Sequence, residues 1–429
     1  MKYYSTHHQA PKVSFREAVV KGIAEDGGLY FPEEVKKLPQ TFFNRLKGMS
    51  LPEIGYEFLK LYAGGELPDA ELKQLMEDVF TFDTPLVKVS DDIYSLELFH
   101  GPTLAFKDVG ARTLARFMSK FAGDKKITVL VATSGDTGSA VANGFFNMPN
   151  IEVVVLYPKG RVSRLQEKQM TTLGGNITAL EVKGNFDDCQ RMVKEAFADE
   201  DLNNKLQLSS ANSINIARLL PQAVYYFSIF SQLGKTDKPV VVSVPSGNLG
   251  NLTAGLLAAK AGAPVAKFIA SANINKVFPD YVYTGLFTPR TSVATLSNAM
   301  DVGNPSNFSR IMELYHHSVE DVKNDIAAYS FDDEQTKVNI AETYDKTGYI
   351  LDPHGSVAHL GLKAYMEQGD FTGVFLETAH PAKFHNTVEE AINKKIEFPE
   401  RLQKSMNKKG NSVEVENTLE SLKEFLLTR

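Results

Sequence analysis

The chain has a single cysteine among its 429 residues, so an intrachain disulfide and a cysteine-rich metal site are both excluded. It also lacks a basic excess: 46 Lys and Arg stand against 52 Asp and Glu, a formal net charge of −6. Nucleic acids and anionic bilayers are held by fields of positive charge, so neither is expected as a partner. An anionic ligand has to be captured locally instead. No run approaches the roughly 18 consecutive apolar residues of a membrane span. Met1-Lys2-Tyr3-Tyr4 lacks the apolar stretch of a signal peptide, and the expectation is a soluble, cytoplasmic protein. No Gly-x-Gly-x-x-Gly fingerprint supports a dinucleotide site. Gln232-Leu233-Gly234-Lys235-Thr236 ends like a P-loop, but Ile229 stands where the first glycine of that motif belongs. Internal repeats and low-complexity segments are absent too.

What is present is an ordinary globular composition, 43% hydrophobic and 23% charged, in a chain long enough for two or three domains. Residues 10–90 read as mostly helical. Ser14 with Glu17, and Ser50 with Glu53, have the spacing of a capping box ahead of apolar helical segments. From about residue 93 the pattern changes. Runs rich in Val, Ile and Leu at 93–99, 127–132, 151–157, 177–182, 239–244, 267–272 and 373–377 alternate with helical segments. Near-continuous apolar strands separated by helices predict an α/β fold of mostly parallel sheets covered on both faces. Cys189 has apolar neighbours at helical spacing within 189–197, which points to a buried core thiol and not a nucleophile.

In such sheets ligands gather beyond the carboxyl ends of the strands, and four polar segments fall there. His100-Gly101-Pro102-Thr103-Leu104-Ala105-Phe106-Lys107-Asp108 follows the first run and sets Lys107 behind Leu, Ala and Phe. Lost hydration disfavours an ammonium and frees the amine for Schiff-base chemistry. A lysine with a packed stem and a wet head fits the same local pattern. Pro245-Ser246-Gly247-Asn248-Leu249-Gly250 opens a helix, so unpaired N–H groups and the positive end of a dipole meet there. A plain strand-to-helix turn fits as well. Thr133-Ser134-Gly135-Asp136-Thr137-Gly138 is a second hydroxyl-rich helix entrance. In Asn212-Ser213-Ile214-Asn215-Ile216-Ala217-Arg218, Asn212 or Ser213 is expected to cap a helix. Arg218 lies about one and a half turns on, within reach of that entrance. A capped helix with a solvated arginine satisfies this pattern equally. The pairs His380 and His385, and His354 and His359, are five apart, which does not place both on one helix face, and no metal site is expected.

The segment from His100 to Asp108 resembles the cofactor-lysine segment of threonine synthases, pyridoxal-phosphate enzymes of the tryptophan-synthase-β-like fold. Further islands follow in family order: Tyr3-Tyr4-Ser5-Thr6, Asp26-Gly27-Gly28-Leu29-Tyr30, 133–138, 212–215, 245–250, Gly303-Asn304-Pro305-Ser306-Asn307, Asp352-Pro353-His354-Gly355 and Thr378-Ala379-His380-Pro381-Ala382-Lys383-Phe384. The spacing is similar to that of the longer bacterial and fungal type. The resemblance implies a mostly helical accessory domain at 1–92 and a catalytic region at 93–429. That region would form two lobes of mostly parallel sheets covered by helices, a smaller one at about 110–215 and a larger one at about 93–109 plus 216–429.

It further implies pyridoxal 5'-phosphate as cofactor, with Lys107 joined to it and Ser246, Gly247, Asn248, Leu249 and Gly250 around its phosphate. Thr378 would meet the pyridine nitrogen. Ser134 and Thr137 would hold the substrate's α-carboxylate. Asp136, which would repel that group, is expected to cap the helix and orient the loop. Asn212, Ser213 and Arg218 would hold a substrate phosphate. The implied reaction turns O-phospho-L-homoserine and water into L-threonine and phosphate, with Lys107 as the base. Dehydratases of threonine or serine and β-replacement enzymes share the fold but need no second phosphate pocket, so 212–218 and 303–307 favour the phosphorylated substrate. A non-catalytic phosphate-ester-binding relative would lack the lysine or an intact loop. No pattern in the chain specifies an oligomeric state.

Overall fold

The computed structural model describes residues 1–63, 65–133 and 135–428. Ser134, expected at the substrate carboxylate, lies outside the described residues. The chain forms two compact units. One comprises Met1, 31–106 and 219–397; the other comprises 2–30, 107–218 and 398–429.

The first unit is built on six strands in the order Ile326–Ser330, Val265–Ala272, Val240–Pro245, Thr372–Glu377, Ile93–Glu97 and Leu86–Ser90. All neighbours are parallel except the last pair. The two central strands, Val240–Pro245 and Thr372–Glu377, are buried at every position, which is why their sequences are apolar without alternation. Ser243 lies opposite Phe375. These parallel neighbours end at Pro245 and Glu377, so Ser246 and Thr378 follow them at the same carboxyl edge. On one face the helix Pro353–Met366 packs closely. Ser243 donates to the carbonyl of Ala358 at 2.6 Å, and a Cβ on Gly361 would strike the Ser271 hydroxyl. Val241, Ile269, Leu362 and Phe375 join in the core between them.

The early helices Leu51–Ala63 and Asp69–Val79 also belong to this unit, and Phe58 packs against Phe227 of the helix Ala223–Leu233 with ring centroids 5.7 Å apart and the rings tilted by 49°. Ser50 and Glu53 form only half of the expected box. Glu53 accepts from the Ser50 N–H, but the Ser50 hydroxyl also donates to that carboxylate and does not cap the helix.

The second unit has five parallel strands in the order Val413–Glu416, Ile177–Lys183, Ile151–Pro158, Ile127–Ala132 and Gln207–Ser210. Near the N-terminus, Ser14 and Glu17 complete a capping box on the helix Phe15–Lys21. Cys189, on the helix Phe186–Ala198, is fully buried among Leu180, Met192 and Leu422, and burial pushes its thiol up to about 12. A thiol held protonated and covered reacts only from opened states. Labelling of Cys189 by a disulfide reagent is therefore expected to proceed at the rate of unfolding, and rapid labelling of the native protein would contradict its placement. Among the described residues no helix is long and apolar enough to cross a membrane.

Candidate active site

In the first unit, the backbone that ends at Lys107 is fixed by four contacts. Phe106 donates its N–H to the carbonyl of Thr378 at 2.9 Å, and His380 donates to the carbonyl of Leu104 at 3.1 Å. The Tyr225 hydroxyl donates to the carbonyl of Phe106 at 2.6 Å. The buried ammonium of Lys383 donates to the carbonyl of Thr103 at 3.0 Å. Between them Leu104 is held at φ +57°, a left-handed conformation that costs a non-glycine residue about 1–3 kcal/mol. Strain of this size persists only where the surroundings over-determine the backbone. Lys107 opens the helix Lys107–Ala122 and is half-buried, while Thr103, Leu104 and Ala105 behind it are buried. Lys107 thus keeps partial exposure.

The segment 246–250 is shaped at the same sheet edge. Ser246 donates its N–H to the carbonyl of Ser271 and its hydroxyl to the carbonyl of Val244, both at 2.8 Å. A Cβ on Gly247 would come within 2.7 Å of Met300 Cα and 2.9 Å of the Ala299 carbonyl oxygen, so only glycine fits. Leu249 sits at φ +59° as the N-cap of the helix Gly250–Lys260, and no side chain among the described residues caps that helix. Asn248 is buttressed from 303–307: its side-chain oxygen accepts from the Ser306 N–H at 2.6 Å, and its carbonyl accepts from the Asn307 amide at 3.0 Å. Arg310, fully buried, donates to the Asn307 side-chain oxygen at 2.9 Å, and burial lowers its pKa to about 9. An open helix N-terminus, a glycine with no room for a side chain and a braced turn make a cradle that fits a phosphate group. Thr378, which follows the neighbouring strand Thr372–Glu377, offers a neutral hydroxyl suited to a pyridine nitrogen.

Beneath Thr378 lies an acid cluster. Glu377 is fully buried. One of its oxygens accepts from the Asp352 N–H at 2.6 Å, and the other has no hydrogen-bond partner among the described residues. Burial, and next the charge of Asp352, hold the Glu377 carboxyl well above the ordinary carboxylate range, so it is a neutral acid. Unfolded, the same group ionises above about 4.3. Folding therefore takes up a proton, and stability falls as pH rises from that value toward the folded pKa, by up to about 1.4 kcal/mol per pH unit. Glu377→Gln keeps the shape without the proton. Urea unfolding across pH is expected to show a shallower loss of stability in that variant, and parallel slopes would contradict a neutral Glu377.

The histidines here are structural. His380 caps the turn Pro381–Phe384 by accepting from the Ala382 N–H, and burial lowers its pKa to about 4. His359 meets the Asn339 amide at 3.2 Å, with its pKa lowered by burial to about 3.

In the second unit, the entrance to the helix Asp136–Phe145 departs from expectation. The Thr133 hydroxyl accepts from the N–H groups of Gly135 and Gly138 at 2.9 and 2.8 Å and is the residue that orients the turn. Asp136 does not cap. As the first helical residue it turns sideways, and its carboxylate accepts from the Gln166 amide at 3.1 Å. Thr137 is half-buried on the first turn.

Asn212 and Ser213 do not cap a helix either. A turn closed by the Asn215 N–H on the Asn212 carbonyl delays the helix to Ile216–Leu219, and the Asn215 side chain accepts from the Ala217 N–H at 3.0 Å. Asn215 also donates to the carbonyl of Val19 at 2.9 Å, which anchors the turn. Arg218 does reach back, donating to the carbonyl of Ala211 at 2.6 Å, but it is buried and not solvated. It packs against Gly110, one turn after Lys107, where a Cβ would come within 2.9 Å of the Arg218 carbonyl oxygen.

Comparison with known proteins identifies relatives along the whole chain. Residues 2–80 match the model for the threonine synthase N terminus, 80–374 that for pyridoxal-phosphate dependent enzymes, and 357–426 that for the threonine synthase C-terminal region. Threonine synthase from Haemophilus influenzae is 46% identical over 428 residues, covering 100% of both chains. The chain belongs to the threonine synthase family. The crystal structure of threonine synthase from Escherichia coli matches with a TM-score of 0.93 at 41% identity, covering 100% of each chain. The pyridoxal-phosphate-bound threonine synthase from Brucella melitensis matches at 0.93 and 34%, covering 99% and 98%. The protein is accordingly a pyridoxal-phosphate-dependent enzyme of threonine synthase type, on the fold its sequence predicts.

Three residues that shape this sheet edge carry no sequence signal that singles them out, Tyr225, Arg310 and Glu377, and Lys383, though inside the island 378–384, is not marked there as a backbone donor. Each acts on the backbone or on a neighbour of a motif residue. Tyr225 and Lys383 stand 119 and 280 positions from the residues they hold.

Proposed function

We propose that the chain converts O-phospho-L-homoserine and water to L-threonine and phosphate in the cytoplasm, with residues 1–92 as an accessory to a catalytic region at 93–429. The observation that carries the site assignment is the pairing of 104–106 with 378–380 at the carboxyl edge of the sheet, where the neighbouring strand Val240–Pro245 runs into Ser246. It gathers the lysine's own backbone, a neutral hydroxyl for the ring nitrogen and a phosphate cradle at one sheet edge. When bound, pyridoxal phosphate supplies an electron-accepting ring.

The side chains supply the rest. The Lys107 amine would hold the cofactor covalently and, when free, would move protons at Cα and Cβ of the substrate. Backbone N–H groups of Gly247, Asn248, Leu249 and Gly250, with the fixed Ser246, would hold the cofactor phosphate. Thr378 would offer the ring nitrogen a hydroxyl without placing a charge on it. Ser134 and Thr137 orient the α-carboxylate, and Asp136, tied to Gln166, keeps that turn in place. Asn212, Ser213 and Arg218 hold the γ-phosphate, which gains negative charge as it leaves and is stabilised by the guanidinium.

The test is turnover of O-phospho-L-homoserine by the purified, cofactor-loaded protein. Phosphate and threonine are expected in equal amounts. Phosphate with a keto acid in place of threonine, or no phosphate at all, would overturn the substrate and product assignment.

A further inference from the structure

Gly247 is pressed by the short turn Asn298–Met300, and that turn is held by a histidine outside the loop. Ala299 donates its N–H to Nε2 of His354 at 3.2 Å. A backbone N–H only donates, so Nε2 carries the lone pair and the ring proton is on Nδ1. Nδ1 faces the Asp352 carboxylate at 2.5 Å. Asp352 caps the helix Pro353–Met366, accepting also from the N–H groups of His354 and Gly355, and donates its own N–H to Glu377. His354 is 2% exposed, and the Phe384 ring stands edge-on against it at 5.0 Å, so water does not compete for either nitrogen. A continuous line of contacts thus runs from Glu377, the neighbour of Thr378, through Asp352, His354 and Ala299 to Gly247.

We propose that His354 is a positioning residue for the cofactor's phosphate: its neutral ring pins Ala299 and Met300 against Gly247 and so sets the shape of the 246–250 cradle. The Asp352 carboxylate, facing Nδ1 at 2.5 Å, keeps the His354 proton on that nitrogen. The inference rests on the reading of 246–250 as the cofactor-phosphate loop. Its distinctive consequence is selectivity. Loss of the Ala299 bond loosens the grip on pyridoxal phosphate and leaves the grip on pyridoxal, which has no phosphate, unchanged.

Two conservative variants separate the two ring nitrogens. His354→Asn keeps a donor near the Nδ1 position for Asp352 and removes the acceptor for Ala299. His354→Gln places an amide oxygen near the Nε2 position. Full-length protein stripped of cofactor is titrated with pyridoxal 5'-phosphate and, separately, with pyridoxal, following the change in cofactor absorbance.

Loss of one buried hydrogen bond predicts that His354→Asn binds pyridoxal phosphate about three- to tenfold more weakly. Pyridoxal affinity is expected to stay at the wild-type level, and His354→Gln to bind both ligands like wild type. Equal losses for both ligands, or no loss in His354→Asn, would overturn the proposal. Gly247→Ala is the control for the reading beneath it. If that variant keeps the wild-type preference for pyridoxal phosphate over pyridoxal, the loop assignment itself fails. If it loses the preference while His354→Asn keeps it, only the role of His354 fails.

Discussion

Lys107→Ala is expected to lower turnover of O-phospho-L-homoserine by at least about 10³-fold, because one amine performs both the covalent hold on the cofactor and the proton transfers. The fold has little stake in that side chain. Lys107 is half-buried at the first position of its helix, where alanine is well tolerated, and its backbone is held by Thr378 and Tyr225 through Phe106. The variant is therefore expected to unfold at nearly the wild-type denaturant concentration while losing the visible absorbance of lysine-bound cofactor. Steady-state kinetics and an absorbance spectrum check both halves. Wild-type turnover by Lys107→Ala would remove the lysine from the chemistry.

Arg218→Ala is expected to lower kcat/KM for O-phospho-L-homoserine at least tenfold, about 1.4 kcal/mol of transition-state stabilisation. The helix that Arg218 belongs to, Ile216–Leu219, has four residues, so its dipole is small and charge for a phosphate has to come from the side chain. The guanidinium is buried and aimed by its bond to the Ala211 carbonyl, and it lies beside the first turn after Lys107. Arg218→Lys is expected to recover only part of the loss, since an ammonium does not reproduce the planar fork. Because Arg218→Ala also leaves a buried carbonyl without its donor, urea unfolding has to accompany the kinetics. The phosphate role is distinguished by weaker inhibition by inorganic phosphate, measured on folded variant. Unchanged kinetics and unchanged phosphate inhibition would take Arg218 out of the pocket.

The strands were legible because burial on both faces forces near-continuous Val, Ile and Leu, and that constraint is local. The run at 127–132 became Ile127–Ala132, and 373–377 became Thr372–Glu377 with one added residue. Motif loops were legible for a related reason: Gly247 has no space for a Cβ, so its identity is dictated by backbone approach.

Caps were less legible, because several oxygens compete for the same N–H groups. Thr133 won over Asp136, and Asn215 over Asn212 and Ser213, once neighbours outside the segment took sides. Gln166 draws Asp136 away, and Val19 fixes Asn215. The segment 303–307 was expected to speak for a second phosphate, yet Ser306 and Asn307 brace Asn248. The state of Glu377 was invisible for the same reason. An acid at the end of an apolar strand is pushed above the ordinary carboxylate range only once the fold buries it, and Asp352, distant in sequence, adds to the shift when folded against it.

The most direct test of Lys107 as the cofactor lysine is to reduce the cofactor-loaded protein with borohydride, digest it and locate the added cofactor mass by peptide mass spectrometry. The mass is predicted on Lys107, in the peptide that contains Phe106 and Asp108. Finding it on another lysine, such as the buried Lys383, or finding no covalent attachment in protein that binds the cofactor, would contradict the site assigned to this chain.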